Sequence, residues 1–451
     1  MMSALILGTA FTLLASSVLS CPPFPPAGAP AAGGPMASTY FGGGLRVPPP
    51  THHTPVPEGP LDSVRIALHR TRCFGTCPDY TVEITGDGAV QYHGEAFVLV
   101  AGDHRSTIAP EDVRCLVEDF RAADFWSLSP EYSAPITDNP NFYLTLSIGG
   151  QTKMVRDYVG LAVGMPRAVI GLEYAVDQSS GDERWITGDM RTLPALESEH
   201  FDFRSREGAD LLARAMVFAV EGARHAGADG RDEIVMDLVG RGAPLDGRAS
   251  SFHGDQSAAE IAALGGRLDL LRVLIKAGVF ETGGPALASA VLRASVGSQR
   301  ADVVAEVLQH HPDVNGQDDD GDTALHLIQE GAHPLLLDEK APHEDVAIIR
   351  LLLQAGADPN VPNHEGKTVL HDVLDPDQAR ALIAGGAQLE VRDQDGDTPL
   401  LATFAEDVAV VLIEAGADPM AKARDGQSFV EIARAKKWKR ALAAVRAHKS
   451  G

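Results

Sequence analysis

The chain has 451 residues, length for roughly three domains, and 44% of them are hydrophobic, ample for a sizeable core. It carries 38 Lys and Arg against 62 Asp and Glu, a formal charge of −24. That imbalance excludes nucleic acid and an anionic bilayer as the main partner, because both repel it. A neutral or basic partner is expected.

The one long apolar run spans residues 4–20, at the start of the chain. It is short for a membrane span, which needs about 20 apolar residues, and sits where the core of a secretory signal lies. Residues 1–20 are therefore expected to be a signal, and the protein to be exported to a bacterial periplasm or cell envelope. No Lys or Arg precedes the run. Val18-Leu19-Ser20-Cys21 resembles the lipobox of bacterial lipoproteins, although Leu19 is bulkier than that pattern usually shows. The resemblance implies lipidation of Cys21, with membrane attachment only through that lipid; an ordinary cleaved signal with Cys21 incidental is the other reading. Residues 21–60 are rich in Pro and Gly and are expected to form a tether that packs no core.

The first folded unit is placed at residues 61–188. Val64, Ile66 and Leu68 alternate with polar or small residues, as a half-buried strand requires. Tyr80, Val82 and Ile84, a Gly86-Asp87-Gly88 turn, then Val90 and Tyr92 predict a hairpin. Pro110, Glu111 and Asp112 open a helix with Val113, Leu116, Val117 and Phe120 on one face. A second hairpin is read at Leu144 to Tyr158, and a second helix from Val169, Leu172 and Val176. The unit is expected to be α+β, an antiparallel sheet with two helices.

The octapeptide from Cys73 through Phe74, Gly75, Thr76, Cys77, Pro78 and Asp79 to Tyr80 resembles the signature of a bacterial domain of unknown function, number 6438. Tyr92-His93-Gly94, Asp138, Asp157-Tyr158 and Arg184-Trp185 are weaker matches. The resemblance implies an exported domain without an assigned activity. Gly75 lets the backbone turn sharply enough to bring the sulfurs of Cys73 and Cys77 within bonding distance, and Pro78 fixes the exit. A structural disulfide is one reading. Two thiolates with His69 or His93 holding a metal is another, and a thiol-redox role a third, at a spacing unusual for it. With Cys21 acylated, Cys115 remains as a helical thiol.

Residues 189–204 read as a linker, and residues 205–451 as a repeat array. Helical patterns closed by Gly or Pro recur at Gly242, Gly278 and Pro312. Asp320-Gly321-Asp322-Thr323-Ala324-Leu325-His326, Gly356-Ala357-Asp358-Pro359-Asn360 and Gly366-Lys367-Thr368-Val369-Leu370-His371 resemble the ankyrin repeat, and Gly366, Gly396 and Gly426 recur every 30 residues. The resemblance implies that Thr caps a first helix, Leu packs the core, a left-handed Gly ends the second helix and a hairpin finger leads onward. The whole is then a multidomain chain, its C-terminal part an all-α solenoid of about six or seven repeats with degenerate first copies and a terminal cap. The interval from Gly321 to Gly366 is 45, and its excess, residues 331–345, falls between the two helices.

Motifs of catalysis fail on inspection. Gly366-Lys367-Thr368 has Val361 where a phosphate loop needs glycine, and taking Gly321 as the sixth position of a calcium loop puts Leu327 at the twelfth. His326 and His371 occupy the ankyrin helix position and are expected to be structural. No cofactor, metal or catalytic residue is assigned. The expected function is binding of another protein through the finger tips, at Asp318, Asp319, Asp320, Asn363, His364, Glu365, Gln394, Asp395, Arg424 and Asp425. The rival reading makes Cys73 and Cys77 the heart of a metal- or thiol-dependent module, with the array as scaffold.

Overall fold

The computed structural model describes residues 21, 46–222, 231–251, 254–328, 344–424 and 426–448. The expected signal, residues 22–45 of the tether and most of the extra length between Gly321 and Gly366 lie outside them. The chain divides into two compact units, Met1–Thr187 and Gly188–Gly451.

The first unit is a seven-stranded sheet of β1 (Arg65–Arg70), β2 (Asp79–Thr85), β3 (Ala89–Ala96), β4 (Gly102–Thr107), β5 (Glu131–Ser133), β6 (Phe142–Ile148) and β7 (Gln151–Tyr158), in the order β4-β3-β2-β1-β6-β7-β5. Alternation decides its faces. Ile66, Leu68, Val82, Ile84, Leu144 and Leu146 share one buried cluster with Val113, Leu116, Val117 and Phe120 of helix α1 (Pro110–Ala122) and Val169, Leu172 and Val176 of α2 (Arg167–Ser180). On the other face His69, Thr81, Glu83 and Tyr143 are half-buried.

Three expectations need correction. The sheet is mixed, because β5 pairs parallel to β7, with Tyr132 opposite Asp157. A three-residue strand is too short to show a period of two, and polar β4 buries only His104. Residues 46–60 are no free tether: Val56 joins the core, the Val47 N–H donates to the Val163 carbonyl at 2.8 Å, and the Thr54 N–H donates to Ser127 Oγ at 2.7 Å. Extended backbone leaves its N–H groups unpaired, so even a Pro-rich segment can dock on a domain. Within the presumed linker, the helix Thr192–Ser198 buries Leu193 and Leu196, which its i, i+3 spacing puts on one face.

The second unit is built from helix pairs, among them Ala258–Leu264 with Leu268–Lys276, Val369–Asp372 with Pro376–Ala384, Pro399–Ala402 with Glu406–Glu414, and Phe429–Ala435 with Lys439–His448. Leu352, Leu382 and Leu412 recur every 30 residues and are all fully buried. A short hairpin, Arg248–Ser251 with Gly254–Ser257, departs from the all-α expectation. Each of the later second helices ends at a glycine with positive φ, Gly356 at 96°, Gly386 at 93° and Gly416 at 106°, a conformation that costs other residues about 1 kcal/mol.

Candidate functional site

Four fingers of the repeat region are closed by one backbone bond at the same place. The N–H of Asp318, Asn363, Asp393 and Ala423 donates to the carbonyl four residues on, at 3.0, 2.8, 3.0 and 2.9 Å. A side-chain oxygen locks the turn. Asp318 Oδ1 accepts from the N–H groups of Asp320 and Asp322, Asn363 Oδ1 from Glu365 and Lys367, and Asp393 Oδ1 from Asp397. This is the local bonding that makes Asp and Asn turn formers. Unlike the paired strands Arg248–Ser251 and Gly254–Ser257, these four fingers are tight turns, with one isolated bridge between Lys422 and Ser428.

Successive fingers are laced together. The His364 N–H donates to the Asp320 carbonyl at 3.0 Å, and the Gln394 N–H to the Glu365 carbonyl at 2.9 Å. Gln394 Nε2 donates to the His364 carbonyl at 2.5 Å and Arg424 Nη2 to the Gln394 carbonyl at 3.0 Å.

The ten candidate tip residues therefore fall into groups. Asp318 and Asn363 are half-buried and hold their own turns, while Gln394 and Arg424 spend side-chain donors on the neighbouring finger. Glu365 is exposed and 2.8 Å from Lys367 Nζ. Asp319, Asp320, His364 and Asp395 are exposed, with side chains in no hydrogen bond or ion pair within the described residues. Asp425 lies outside the described residues.

Below the tips, the buried histidines tie one repeat to the next. The Thr368 N–H donates to His371 Nδ1 at 3.0 Å, which leaves the proton on Nε2, 3.2 Å from the Asp397 carbonyl. Thr323 and His326 repeat the arrangement, with the Lys367 carbonyl as the far partner at 3.2 Å.

In the first unit, the octapeptide forms a covalently closed loop. Cys73 and Cys77 are disulfide-bonded with their Cα atoms 5.5 Å apart, Gly75 takes φ 137°, and Phe74 stands 88% exposed. Thiols so bonded offer a metal no thiolate. His69 and His93 lie on the open face of the sheet, His69 beside Asp79 at 3.7 Å and His93 against Asp103 at 2.8 Å. Among the described residues no cluster of three or more His, Cys, Asp or Glu is arranged to hold a metal ion.

Cys21 is bonded to Cys115 of α1, across 94 residues. In this structure the Cys21 sulfur, bonded to Cys115, is not free to carry a diacylglyceryl thioether, and Cys115 is no free thiol. Pairing through a helix face is invisible to spacing rules, which favour close cysteines.

The end of the octapeptide leads into a buried acid cluster that motif reading missed. Tyr80 donates its hydroxyl to Asp177 Oδ2 at 2.8 Å. Asp177 Oδ1, both oxygens of Asp182, Glu173 Oε1, the Tyr92 hydroxyl and Trp185 Nε1 are likewise shielded from solvent, with no hydrogen-bond partner among the described residues. Burial is the main cause of a pKa pushed up to about 7 at Asp177 and about 6 at Asp182, and it raises Glu173 and Tyr80 as well. Neighbouring negative charge adds to the rise at Tyr80, and Arg70 opposes it. The signal was present: Glu173 and Asp177 fall four apart among Val169, Leu172 and Val176, on the helix's own apolar stripe. Such a set can take up protons near neutral pH.

Residues 64–180 match the family model described as Domain of unknown function (DUF6438), and residues 320–364 match that of the Ankyrin repeat. No curated protein matches the chain. With the Cys73 to Tyr80 loop in the first match and the Asp320 to His364 fingers in the second, the chain carries an N-terminal stretch that matches DUF6438 and, further on, a stretch that matches an ankyrin repeat.

Proposed function

We propose that residues 205–451 form an ankyrin solenoid that binds a partner protein through its finger tips, and that binding rather than catalysis is the role of the chain. Support comes from one observation above all. Asp319, Asp320, His364 and Asp395 recur at equivalent tips, exposed and unengaged, on turns whose backbones are bonded to each other. Rigid tips lose little freedom on binding, which favours affinity, and their negative charge favours a partner with a basic face.

Capture of the partner from an envelope extract by the immobilised full chain tests this. Asp319→Ala, Asp320→Ala and Asp395→Ala together should abolish capture of the protein that the unaltered chain retains, with an unchanged melting temperature. Capture that survives the triple change overturns the placement.

Export is part of the same proposal. Two disulfides suit an oxidising compartment and are rare in the cytosol. Thiol titration of the protein from its native host, denatured without reductant, should find no free thiol; four free thiols would count against export and reopen the thiol reading of Cys73 and Cys77.

A further inference from the structure

The charge of the chain is not evenly spread. Residues 421–451 hold nine Lys and Arg against Asp425 and Glu431, a local +7 within a chain of −24. Whole-chain repulsion from an anionic surface therefore does not describe this end, because charges further away than the Debye length of about 8 Å at physiological salt are largely screened.

Much of this charge gathers on one turn. Lys437 takes a left-handed φ of 58° between the helices Phe429–Ala435 and Lys439–His448, and Lys436, Lys437 and Lys439 are all exposed. These three form no ion pair within the described residues. Arg440, by contrast, holds Glu406 at 3.7 Å and Asp407 at 2.5 Å, neutralising the acids nearest the turn. Two aromatic rings sit among the lysines. Phe404 is 80% exposed at the inter-helix turn of the preceding repeat, and Trp438 is half-buried against Phe429. Lys436 Nζ lies between them, 4.8 Å from the Phe404 centroid and 4.5 Å from that of Trp438.

We propose that this basic-aromatic turn is a contact site for an anionic lipid surface, independent of the finger tips. Lysines gain from anionic headgroups, about fivefold in partition for each charge near the surface. Aromatic rings settle at headgroup depth, where their apolar bodies leave water. An acidic protein would satisfy the lysines, but a ring as exposed as Phe404 would need a fitted pocket in that partner, whereas the headgroup layer needs none. The site has a boundary. At the equivalent turn one repeat earlier Leu374 is 60% exposed but flanked by exposed Asp372, Asp375 and Asp377, which anionic lipid repels.

Co-sedimentation of the full chain with vesicles of phosphatidylcholine, with and without phosphatidylglycerol, tests the assignment. The chain should bind the anionic vesicles and release them in 1 M salt, where screening shortens to about 3 Å. Lys436→Glu, Lys437→Glu and Lys439→Glu together should lower binding by about 100-fold or more, and Phe404→Ser by several-fold. Leu374→Ser and the fingertip changes should leave it unaltered. Any apolar N-terminal residues are common to all these proteins and add the same background. Lys→Gln versions at the three sites guard against a fold damaged by charge reversal. Equal binding to neutral vesicles, no binding, or binding indifferent to the lysines overturns the proposal. Charge-dependent capture on polyglutamate beads without vesicle binding would overturn it in favour of an acidic protein.

Discussion

His371 and Asp177 are both buried titratable groups, and the two units treat them differently. In the repeat region each ring nitrogen of His371 has a partner, and the far one belongs to the next repeat. In the DUF6438 unit, Asp177 has Tyr80 on one oxygen and no hydrogen-bond partner on the other among the described residues, as also for both oxygens of Asp182 and one of Glu173. Repetition explains the contrast. A polar atom placed well in one copy is placed well in every copy, whereas a single-copy domain must arrange each group separately. Both disulfides also lie in the first unit, so one half of the chain is stapled covalently and the other is held by packing and hydrogen bonds.

Removing a staple should break that contrast most strongly. Cys115→Ser opens a loop closed across 94 residues, which chain-entropy reasoning values at up to about 4.7 kcal/mol. Calorimetry should show the transition of the first unit fall while that of the repeats stays; a shift in both would show that the units do not unfold separately.

Next in size is the buried acid. A carboxyl whose pKa rises on folding holds its proton more tightly in the folded state. Its contribution is therefore complete below the unfolded value near 3.8 and is lost as pH rises through about 7. Asp177→Asn mimics the protonated group. It should stabilise the first unit by roughly 4 kcal/mol at pH 8 and hardly at all at pH 4. Melting curves between those values would check it, and an Asn variant less stable at pH 8 would refute the account.

His371→Ala should cost about 2 kcal/mol, since it strands the buried Thr368 N–H and the Asp397 carbonyl. Urea unfolding of the repeat region measures this, and a loss below 0.5 kcal/mol would mean that water replaces the imidazole. Smallest of all is Asp319→Ala, an exposed side chain without a partner, expected within about 0.5 kcal/mol of the parent.

The repeat register was legible in the sequence because its signals are local and recur. Thr368 with His371 and the glycines every 30 residues each state the same geometry again. Strands β1, β2, β3, β6 and β7 were legible for a related reason, their period of two. What escaped depends on contacts between distant residues. Cys21 meets Cys115, Val56 enters the core, and Tyr80 meets Asp177, 97 positions away. The expected tip residues that the structure describes fall on turns, but composition alone could not tell Asp318, which holds its turn, from Asp319, which faces solvent.

The lacing of the fingers has a consequence for how such a chain can change length. From Asp320 to His364 and from Glu365 to Gln394, each tip is a rung bonded to the next, so a residue inserted there would put every later rung out of step. The helix starts are tied by side chains instead, as Gln378 Nε2 is to Asp345 Oδ2 at 3.0 Å and Arg440 to Glu406 at 3.7 Å. In sequence, the difference between 45 residues from Gly321 to Gly366 and 30 from Gly366 to Gly396 falls between the two helices and not at a tip, as a rope ladder can be let out along its rails without moving a single step.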